Sequence, residues 1–376
     1  MTSKGSTMIL VVNPGSTSTR VAIFTGADMR SAIPLPAPSL EEGATLWDEF
    51  LPRLEQIRDW LAEEGVKPGE LAAVVGRGGL LRPVEGGVYH VNEAMLADSR
   101  GNRQGAHASN LGCALARALA DQATRDGSVL SSPAGEEGTS GQRTVPAFIV
   151  DPVSTDEFSD LARLSGLKEL PRNSLSHALS IHALVREVCD RDGIEVGESR
   201  FVVVHLGGGI SVCPVVGGRI IDANNANSGG PFSPTRAGGL PTQELMSLCF
   251  SGTHSLSELK AMTVRRGGLM SYLATDDARE VEKRIEEGDE QARLVYETMA
   301  YQISKEIGAM ATVLKGNVGR LLLTGGLASS ALLTGWIRER VGFLGPVEVW
   351  PEVEEMKALA LGALRVLEGE IEPKEY

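Results

Sequence analysis

The sequence predicts an α/β protein that contains two related units. Three apolar, β-branched runs each end in a turn of small residues, a pattern typical of buried strands. The first two runs are each followed by a second strand-like run, so a strand–turn–strand plan occurs twice along the chain. Helical patterns lie between these runs. This order indicates duplication of one unit, with a mixed sheet flanked by helices in each copy.

The first strand–turn–strand plan begins with Ile9–Val12, passes through Asn13–Arg20 and continues into Val21–Phe24. Turns rich in Gly, Ser and Thr let backbone N–H groups converge on an anion, and their hydroxyl groups add donors. Arg20 adds a planar cation that can bridge phosphate oxygens. Asn13 offers a neutral oxygen to hydrated magnesium. We interpret this turn as a phosphate-binding turn, with a plain hairpin as the alternative.

The second plan joins Phe201–Leu206, the turn Gly207–Ser211 and Val212–Val216. The third run, Leu321–Thr324, enters Gly325–Ser330 and then a predicted helix, a junction suited to nucleotide contacts. Each turn alone is weak evidence. Two turns in corresponding units, together with this junction, favour ATP.

Helical spacing of apolar residues predicts four helices, at residues 46–63, 108–123, 175–189 and 292–314. The segment 131–143 has few apolar residues, so we expect a surface loop or insertion there. We expect an N-terminal domain of residues 1–170 that also includes a returning C-terminal helix at 348–376. The second, nucleotide-binding domain then covers residues 171–347.

Composition excludes several classes of function. The chain has 376 residues, a formal net charge of −13 and a pI near 5.1. A nucleic-acid-binding protein would instead show a basic stripe. No apolar run approaches the roughly 18–20 residues that span a bilayer, and the run near the N-terminus is too short for a secretory leader. The four cysteines are scattered without a C-x-x-C pair. We therefore expect a cytoplasmic protein that does not bind membranes or nucleic acid.

The absence of several well-known motifs excludes further kinds of binding and catalytic site. The sequence contains no P-loop pattern, and no G-x-G-x-x-G follows the first strand. It also lacks the G-x-S-x-G nucleophile elbow and the H-E-x-x-H zinc pattern. The Gly-, Ser- and Thr-rich turns remain as the main candidates for a binding site.

In six sequence motifs the chain resembles the butyrate kinases of the acetokinase family. The similarity is carried by ILVVNPGSTSTRVAIF, VGRGGLLRPVEGGVYHVNEAML, FIVDPVSTDEF, VVVHLGGGISV, NANSGGPFSPTRAGGLP and LLLTGGLASS. It extends more distantly to the acetate kinases and to the acetate and sugar kinase/Hsp70/actin (ASKHA) fold. The resemblance implies two domains with duplicated RNase H-like sheets and a nucleotide cleft between them, which closes on its ligands.

The resemblance also implies nucleotide and metal contacts. The residues that match the family's first phosphate loop and metal corner are Asn13, Ser16, Ser18 and Arg20. Those that match its second phosphate loop are His205, Gly207, Gly208 and Gly209. The adenosine-side segment is matched by Asp277, Ala278 and Arg279, and the nucleotide loop by Gly325 and Gly326. One departure is Arg20, where these kinases usually have Lys.

Four residues match the family's catalytic positions, namely Arg77, Asp151, His177 and Arg236. The metal-associated glutamate is matched by Glu354, or by its neighbour Glu355, between which the motif does not choose. The residues alone also allow structural interpretations in place of catalytic ones. The histidines are then packed core side chains, the arginines are partners in surface ion pairs, and Asp151 simply starts a turn.

The implied reaction explains these residue types. A phosphoryl group in transfer spreads negative charge over three oxygens, and a carboxylate acceptor is itself an anion, so cations and donors are needed. A carboxylate is already ionised at pH 7, so Asp151 is expected to organise the site and not to remove a proton.

The expected reaction is butanoate + ATP = butanoyl phosphate + ADP, reversible and dependent on Mg²⁺. The alternatives are a kinase for isobutyrate, propionate or acetate, and a non-catalytic actin- or Hsp70-like nucleotide sensor. The expected partners are the small carboxylate or acyl phosphate and further copies of the chain, as a dimer or larger assembly.

Overall fold

The chain divides into two units in a computed structural model that describes residues 7–41, 43–130, 144–351 and 353–376. The first unit runs up to Thr155 and resumes at Glu354–Tyr376. The second unit is Asp156–Val353. The segment 131–143, expected to be a surface loop, lies outside the described residues.

These divisions differ from the expected boundaries at residues 170 and 347. The residues that follow Thr155 bond to the second unit, because the backbone N–H of Ser159 donates to the carbonyl of Ile221 at 2.9 Å. At the other boundary, the strand Val347–Trp350 pairs with a strand of the second unit, so the chain leaves that unit only after this strand.

The strands follow the apolar runs of the sequence. They are β1 (Met8–Pro14), β2 (Ser18–Thr25), β3 (Asp28–Pro36), β4 (Ala73–Arg77), β5 (Val88–His90), β6 (Ala147–Val150), β7 (Arg200–Leu206), β8 (Ile210–Val216), β9 (Arg219–Ile220), β10 (Arg320–Thr324) and β11 (Val347–Trp350).

The α-helices cover the segments with helical spacing and several more. They are α1 (Phe50–Glu63), α2 (Glu93–Arg100), α3 (Leu111–Leu130), α4 (Asp160–Arg163), α5 (Ala178–Asp192), α6 (Thr242–Cys249), α7 (Leu256–Val264), α8 (Gly268–Leu273), α9 (Ala278–Glu286), α10 (Glu290–Val313), α11 (Ala331–Val341) and α12 (Glu355–Leu367). The four helices expected from spacing correspond to α1, α3, α5 and α10, with ends shifted by a few residues.

The two sheets share one strand plan. In the first unit the order is β3-β2-β1-β4-β6-β5, and in the second it is β11-β10-β7-β8-β9. Read from the hairpin side, both sheets have two antiparallel pairings followed by two parallel ones. The first sheet adds β5 at its edge. The expected α/β class with a mixed sheet in each unit is therefore confirmed, and the shared plan supports duplication.

Close packing of helices on the first sheet fixes where its strands end. The helix α12 contacts β1, β4 and β6. The helix α3 approaches β4 so closely that a Cβ on Gly76 would lie 2.2 Å from the carbonyl oxygen of Gly112. Because both positions are glycine, the strand and the helix backbones can touch. None of the described helices has both the length and the apolar content needed to cross a bilayer.

Candidate active site

The first unit gathers three predicted site residues at one edge of its sheet. The strands β1, β4 and β6 are parallel neighbours. Asn13 and Arg77 lie at the carboxyl ends of β1 and β4, and Asp151 directly follows β6. Since ligands of open α/β sheets bind outside the carboxyl ends of the strands, this edge is the natural place for a site.

A glutamate from α12 joins this group. Glu355 Oε2 accepts a hydrogen bond from Asn13 Nδ2 at 3.2 Å and pairs with Arg77 Nη1 at 2.8 Å. The sequence interpretation gave Glu354 first and Glu355 as its alternative. In the structure Glu354 is exposed at the N-cap of α12, and Glu355 is the one in contact with Asn13 and Arg77.

Asp151 is buried and has an unusual backbone. The residue is 1% exposed, and its φ is +39°, a region that residues other than glycine rarely adopt. Two hydrogen bonds join it to Gly87: Asp151 Oδ1 accepts from the Gly87 N–H at 2.7 Å, and the Asp151 N–H donates to the Gly87 carbonyl at 2.9 Å. Strained, over-determined backbone of this kind concentrates at functional sites.

The first predicted phosphate turn is held from within by a buried arginine. Arg53 on α1 is 0% exposed and donates to the Thr19 hydroxyl at 2.6 Å and to the Gly15 carbonyl at 2.9 Å. Its charge is balanced by Glu49 one helical turn earlier. A charge buried this fully persists only when it is paired and hydrogen-bonded. Arg53 therefore fixes the shape of this turn.

The predicted phosphate-binding residues of this turn differ in their exposure. Ser16 and Arg20 are exposed, while Ser18 is half-buried and begins β2. Arg20 is the cross-strand neighbour of Asn13. This arrangement leaves the hydroxyl of Ser16 and the guanidinium of Arg20 open to solvent on the hairpin that carries Asn13.

In the second unit two predicted histidines stack. The rings of His177 and His205 lie 3.8 Å apart between centroids and within 10° of parallel. His177 Nδ1 is 2.9 Å from the hydroxyl oxygen of Ser211, which is fully buried. His205 lies near the end of β7, opposite Ser211 on β8. The stack and the hydroxyl contact together fix the orientation of the His177 ring.

Arg236 is packed onto the glycine turn between β7 and β8. A Cβ on Gly209 would lie 2.3 Å from Arg236 Nη1. The segment that carries Arg236 is tied to the same turn, because the Ser233 and Thr235 hydroxyls donate to the Gly208 carbonyl. Burial lowers the pKa of the Arg236 guanidinium from its ordinary value. Gly207, by contrast, approaches His205, whose Nε2 would be 3.3 Å from its Cβ.

The predicted nucleotide turn follows β10. Gly325 has a φ of +86°, and a Cβ there would lie 2.5 Å from the Leu206 carbonyl oxygen, so this tight turn requires glycine. Gly326 begins the 3₁₀ turn that leads into α11. Thr324 is fully buried, and its hydroxyl has no hydrogen-bond partner among the described residues.

The predicted adenosine-side residues form a helix cap. Asp277 is the N-cap of α9 and accepts from the Arg279 N–H at 2.9 Å. The Arg279 side chain also pairs with this carboxylate at 2.8 Å, and these hydrogen bonds lower the pKa of Asp277. Ala278 is buried. Their contacts with one another are fully explained as a capping motif on an exposed helix end.

The side-chain oxygens at the edge of the first sheet fit a magnesium ion bound to phosphates. Arg77 Nε in the first unit and Thr324 Oγ1 in the second are buried polar atoms without a hydrogen-bond partner in the described parts of the chain. The described residues contain no group of three His, Cys, Asp or Glu side chains that would hold a metal. Magnesium bound to phosphates needs only one or two protein carboxylates, so Asn13 and Glu355 suffice as a corner for it.

Sequence reasoning missed two residues that shape the site. The sequence does contain a signal for Arg53, because this cation lies on the buried face of α1 among apolar side chains such as Leu54 and Ile57. The sequence contains no signal for Ser211, because a serine within a buried strand does not reveal which ring its hydroxyl contacts.

Comparison with known proteins gives consistent matches. The family model described as the acetokinase family matches residues 175–354. A protein of Caldanaerobacter subterraneus subsp. tengcongensis named "Probable butyrate kinase 2" is 48% identical over 370 residues, which cover 98% of this chain and 99% of that protein.

Solved structures give the same fold at low sequence identity. The acetate kinase of Porphyromonas gingivalis superposes with a TM-score of 0.76 at 16% identity, covering 96% of this chain and 100% of that one. A propionate kinase from Francisella tularensis subsp. tularensis SCHU S4 gives 0.69 at 17% identity, with 95% and 98% coverage. The expected ASKHA fold, as seen in acetate kinases, is thereby confirmed.

Proposed function

Because the chain belongs to the acetokinase family, we propose that it is a carboxylate kinase. It transfers a phosphoryl group reversibly between ATP and a short-chain fatty acid, with butanoate and butanoyl phosphate as the leading pair. The observation that carries this proposal is the 48% identity, over 98% of the chain, with a protein named as a probable butyrate kinase.

The arginines are proposed to neutralise the charge that develops during transfer. Arg77 is held by Glu355, and Arg236 is held against Gly209, so each guanidinium has a fixed position before substrate binds. Donors that need no reorganisation stabilise a charged transition state far better than mobile ones. The buried Nε of Arg77 supports this role, because its N–H has no hydrogen-bond partner among the described residues.

The remaining residues are proposed to orient the reactants. His177 donates to the phosphoryl oxygens from a ring fixed by Ser211 and His205. Asp151 positions the acceptor and water without acting as a base, since the substrate carboxylate is already ionised at pH 7. We assign nucleotide contacts to the residues predicted from the sequence, which are Ser16, Ser18, Arg20, His205, Gly207, Gly208, Gly209, Asp277, Ala278, Arg279, Gly325 and Gly326.

Asn13 and Glu355 are proposed to hold the magnesium corner. When bound with ATP, magnesium would supply positive charge at the phosphates. The oxygen chemistry of an amide and a carboxylate suits this hard cation. Glu355 replaces Glu354 in this proposal, because only Glu355 contacts Asn13.

The test is the production of acyl phosphate, trapped as hydroxamate, from ATP, Mg²⁺ and straight and branched acids of two to five carbons. We expect turnover with butanoate at the highest kcat/KM, and smaller differences among neighbouring acids, since one methylene changes discrimination by about 1–3 kcal/mol. ATP binding without acyl phosphate from any acid would contradict the kinase and favour a nucleotide sensor.

We also propose self-association through the second unit. Leu240, Tyr272 and Leu294 are 41%, 65% and 62% exposed and line one cavity of about 910 Å³. Exposed apolar surface of this kind marks interaction sites, and a second copy of the chain agrees with the expected homo-oligomer. Light scattering should show a dimer or larger species that Leu294→Glu shifts toward the monomer; a wild-type monomer would contradict the proposal.

The enzyme is proposed to act in the cytoplasm. Its reaction consumes or makes ATP, and all four cysteines, which lie in the described chain, are free thiols. Unpaired cysteines are normal where glutathione keeps thiols reduced. Fractionation of cells that express the protein should recover kinase activity with cytoplasmic markers; recovery with secreted proteins would contradict this.

A further inference from the structure

The segment that holds Asp151 is itself held by the last residues of the chain. Residues 373–376, here called the C-terminal tail, lie along β5 at the edge of the first sheet. The Lys374 N–H donates to the Val88 carbonyl at 2.7 Å, and the His90 N–H donates to the Lys374 carbonyl at 3.0 Å. The tail therefore extends the sheet beyond its last strand.

The tail and Asp151 donate hydrogen bonds to three consecutive carbonyl groups within residues 85–88. Lys374 Nζ donates to the Gly86 carbonyl at 2.8 Å, and its backbone N–H holds the Val88 carbonyl. The Gly87 carbonyl between them accepts from the Asp151 N–H. Because the chain between rigid peptide planes has only two soft dihedrals per residue, fixing the carbonyls on either side of Gly87 restricts the rotation of the one that Asp151 uses.

Side chains of the tail add further anchors. Lys374 Nζ pairs with Glu85 at 3.2 Å. The methylene groups of Lys374 pack against Gly87, so closely that a Cβ on Gly87 would lie 3.2 Å from Lys374 Cε. The Tyr376 hydroxyl donates to Asp98 at 2.9 Å and accepts from the Arg82 N–H at 3.0 Å. The tail is thus held at both ends, and the 85–88 segment lies between it and Asp151.

We propose that Lys374 and the C-terminal tail are positioning elements for Asp151, acting through Gly87. The tail touches neither substrate nor nucleotide in this role. It keeps the Gly87 N–H directed at the Asp151 carboxylate and holds the Asp151 backbone at its positive φ. The inference rests on the proposed function of Asp151 in phosphoryl transfer.

The first test compares Lys374→Met with Lys374→Arg. Methionine keeps most of the stem but loses the donor to Gly86, so we expect kcat to fall about 3- to 10-fold while KM for ATP and for the acid stays within about 2-fold, because misplacement of a catalytic group affects the transition state. Arginine restores a donor and should recover most of kcat. The matched control Lys67→Met removes another exposed lysine of the first unit and should keep wild-type kcat.

The second test does not depend on turnover. A variant that ends at Pro373 should show faster hydrogen exchange at the Asp151 amide, with a global melting temperature still well above the assay temperature and kcat reduced about 10- to 100-fold. Unchanged exchange at Asp151, or unchanged kcat in this variant, would overturn the inference. Failure of the wild-type enzyme to make acyl phosphate would instead overturn the proposed function, and the exchange result would then decide the inference by itself.

Discussion

Arg236 packs so closely against Gly209 that its guanidinium fits only because residue 209 has no side chain. Any Cβ at position 209 would overlap the Arg236 guanidinium, 2.3 Å from Nη1. The glycine turn therefore has two roles in our proposal: it approaches phosphate with its backbone, and it makes room for the arginine that neutralises charge. The turn's composition predicts the first role, but the second follows only from the packing.

We expect Gly209→Ala to lower kcat by on the order of 10²-fold, the typical cost of losing one preorganised donor. The methyl group displaces the Arg236 guanidinium from its place on the turn. Hydroxamate kinetics would measure the loss, with Gly335→Ala as a control, because a Cβ at that glycine of α11 meets nothing within 4 Å. Wild-type kcat in Gly209→Ala would show that the position of Arg236 does not matter.

Glu355 and Glu354 form a natural pair for testing the metal corner. Glu355→Gln removes the charge that contacts Asn13 and Arg77, so we expect a higher magnesium requirement and a kcat about 10- to 100-fold lower. Glu354→Gln changes an exposed cap residue and should alter either value by less than about 2-fold. Magnesium titrations of both variants provide the measurement. A larger effect from Glu354→Gln would reverse the assignment.

At the scale of secondary-structure elements, contact between α3 and β4 determines where Arg77 lies. A Cβ on Gly112 would lie 2.1 Å from the Arg77 carbonyl oxygen. We expect Gly112→Ala to destabilise the first unit by about 1–3 kcal/mol, the usual cost of overpacking, and to lower kcat through Arg77. Gly127→Ala on the same helix meets only ordinary contacts. Melting curves and kinetics would compare them; equal stability of both variants would contradict this packing argument.

A second prediction at this scale concerns pH. Arg191 and Arg320 both pair with Glu348, and so join the end of α5 to β10 and β11. Hydrogen bonds, chiefly from Arg191, hold the pKa of Glu348 below its ordinary value. A carboxylate with a lowered pKa stabilises the fold above its unfolded pKa, about 4.3, and this contribution is lost as pH falls through the folded value.

We therefore expect Glu348→Gln to melt at a lower temperature than wild type at pH 7, with the difference shrinking as pH falls below about 4. Melting curves across this range would measure it. Asp59→Asn is the control, because Asp59 is an exposed carboxylate on α1 and its loss should leave the melting temperature nearly unchanged. A constant difference between wild type and Glu348→Gln at all pH values would contradict a charge-based contribution.

At the scale of the whole molecule, the first unit is discontinuous in sequence. The helix α12 buries Met356, Leu359 and Leu364 against the sheet of that unit. Burial of each such side chain contributes roughly 1.5–3 kcal/mol, which together is comparable with the 5–15 kcal/mol of a typical domain. The N-terminal part therefore cannot be expected to fold without the C-terminal helix.

We expect residues 156–353 expressed alone to fold cooperatively, and residues 1–155 alone to remain largely unfolded. Linking residues 1–155 to 354–376 should restore a cooperative transition. Circular dichroism and thermal melting of the three proteins would provide the comparison. A stable, cooperatively folded 1–155 would show that α12 is not needed for this unit.

Local apolar patterns in the sequence were enough to predict the fold class and the strand–turn–strand units, whereas the residues of the proposed site came from motifs shared with the acetokinase family. It did not determine the domain boundaries, since hydrogen bonds such as that from Ser159 to Ile221 join residues far apart in sequence. The tertiary structure separates Glu354 from Glu355, which are adjacent in the chain: Glu355 contacts Asn13, Glu354 is exposed at the N-cap of α12, and our proposal therefore uses Glu355. It likewise placed Arg53 in the turn and Lys374 beside Gly86, because long-range contacts of single side chains follow from packing and leave no local pattern.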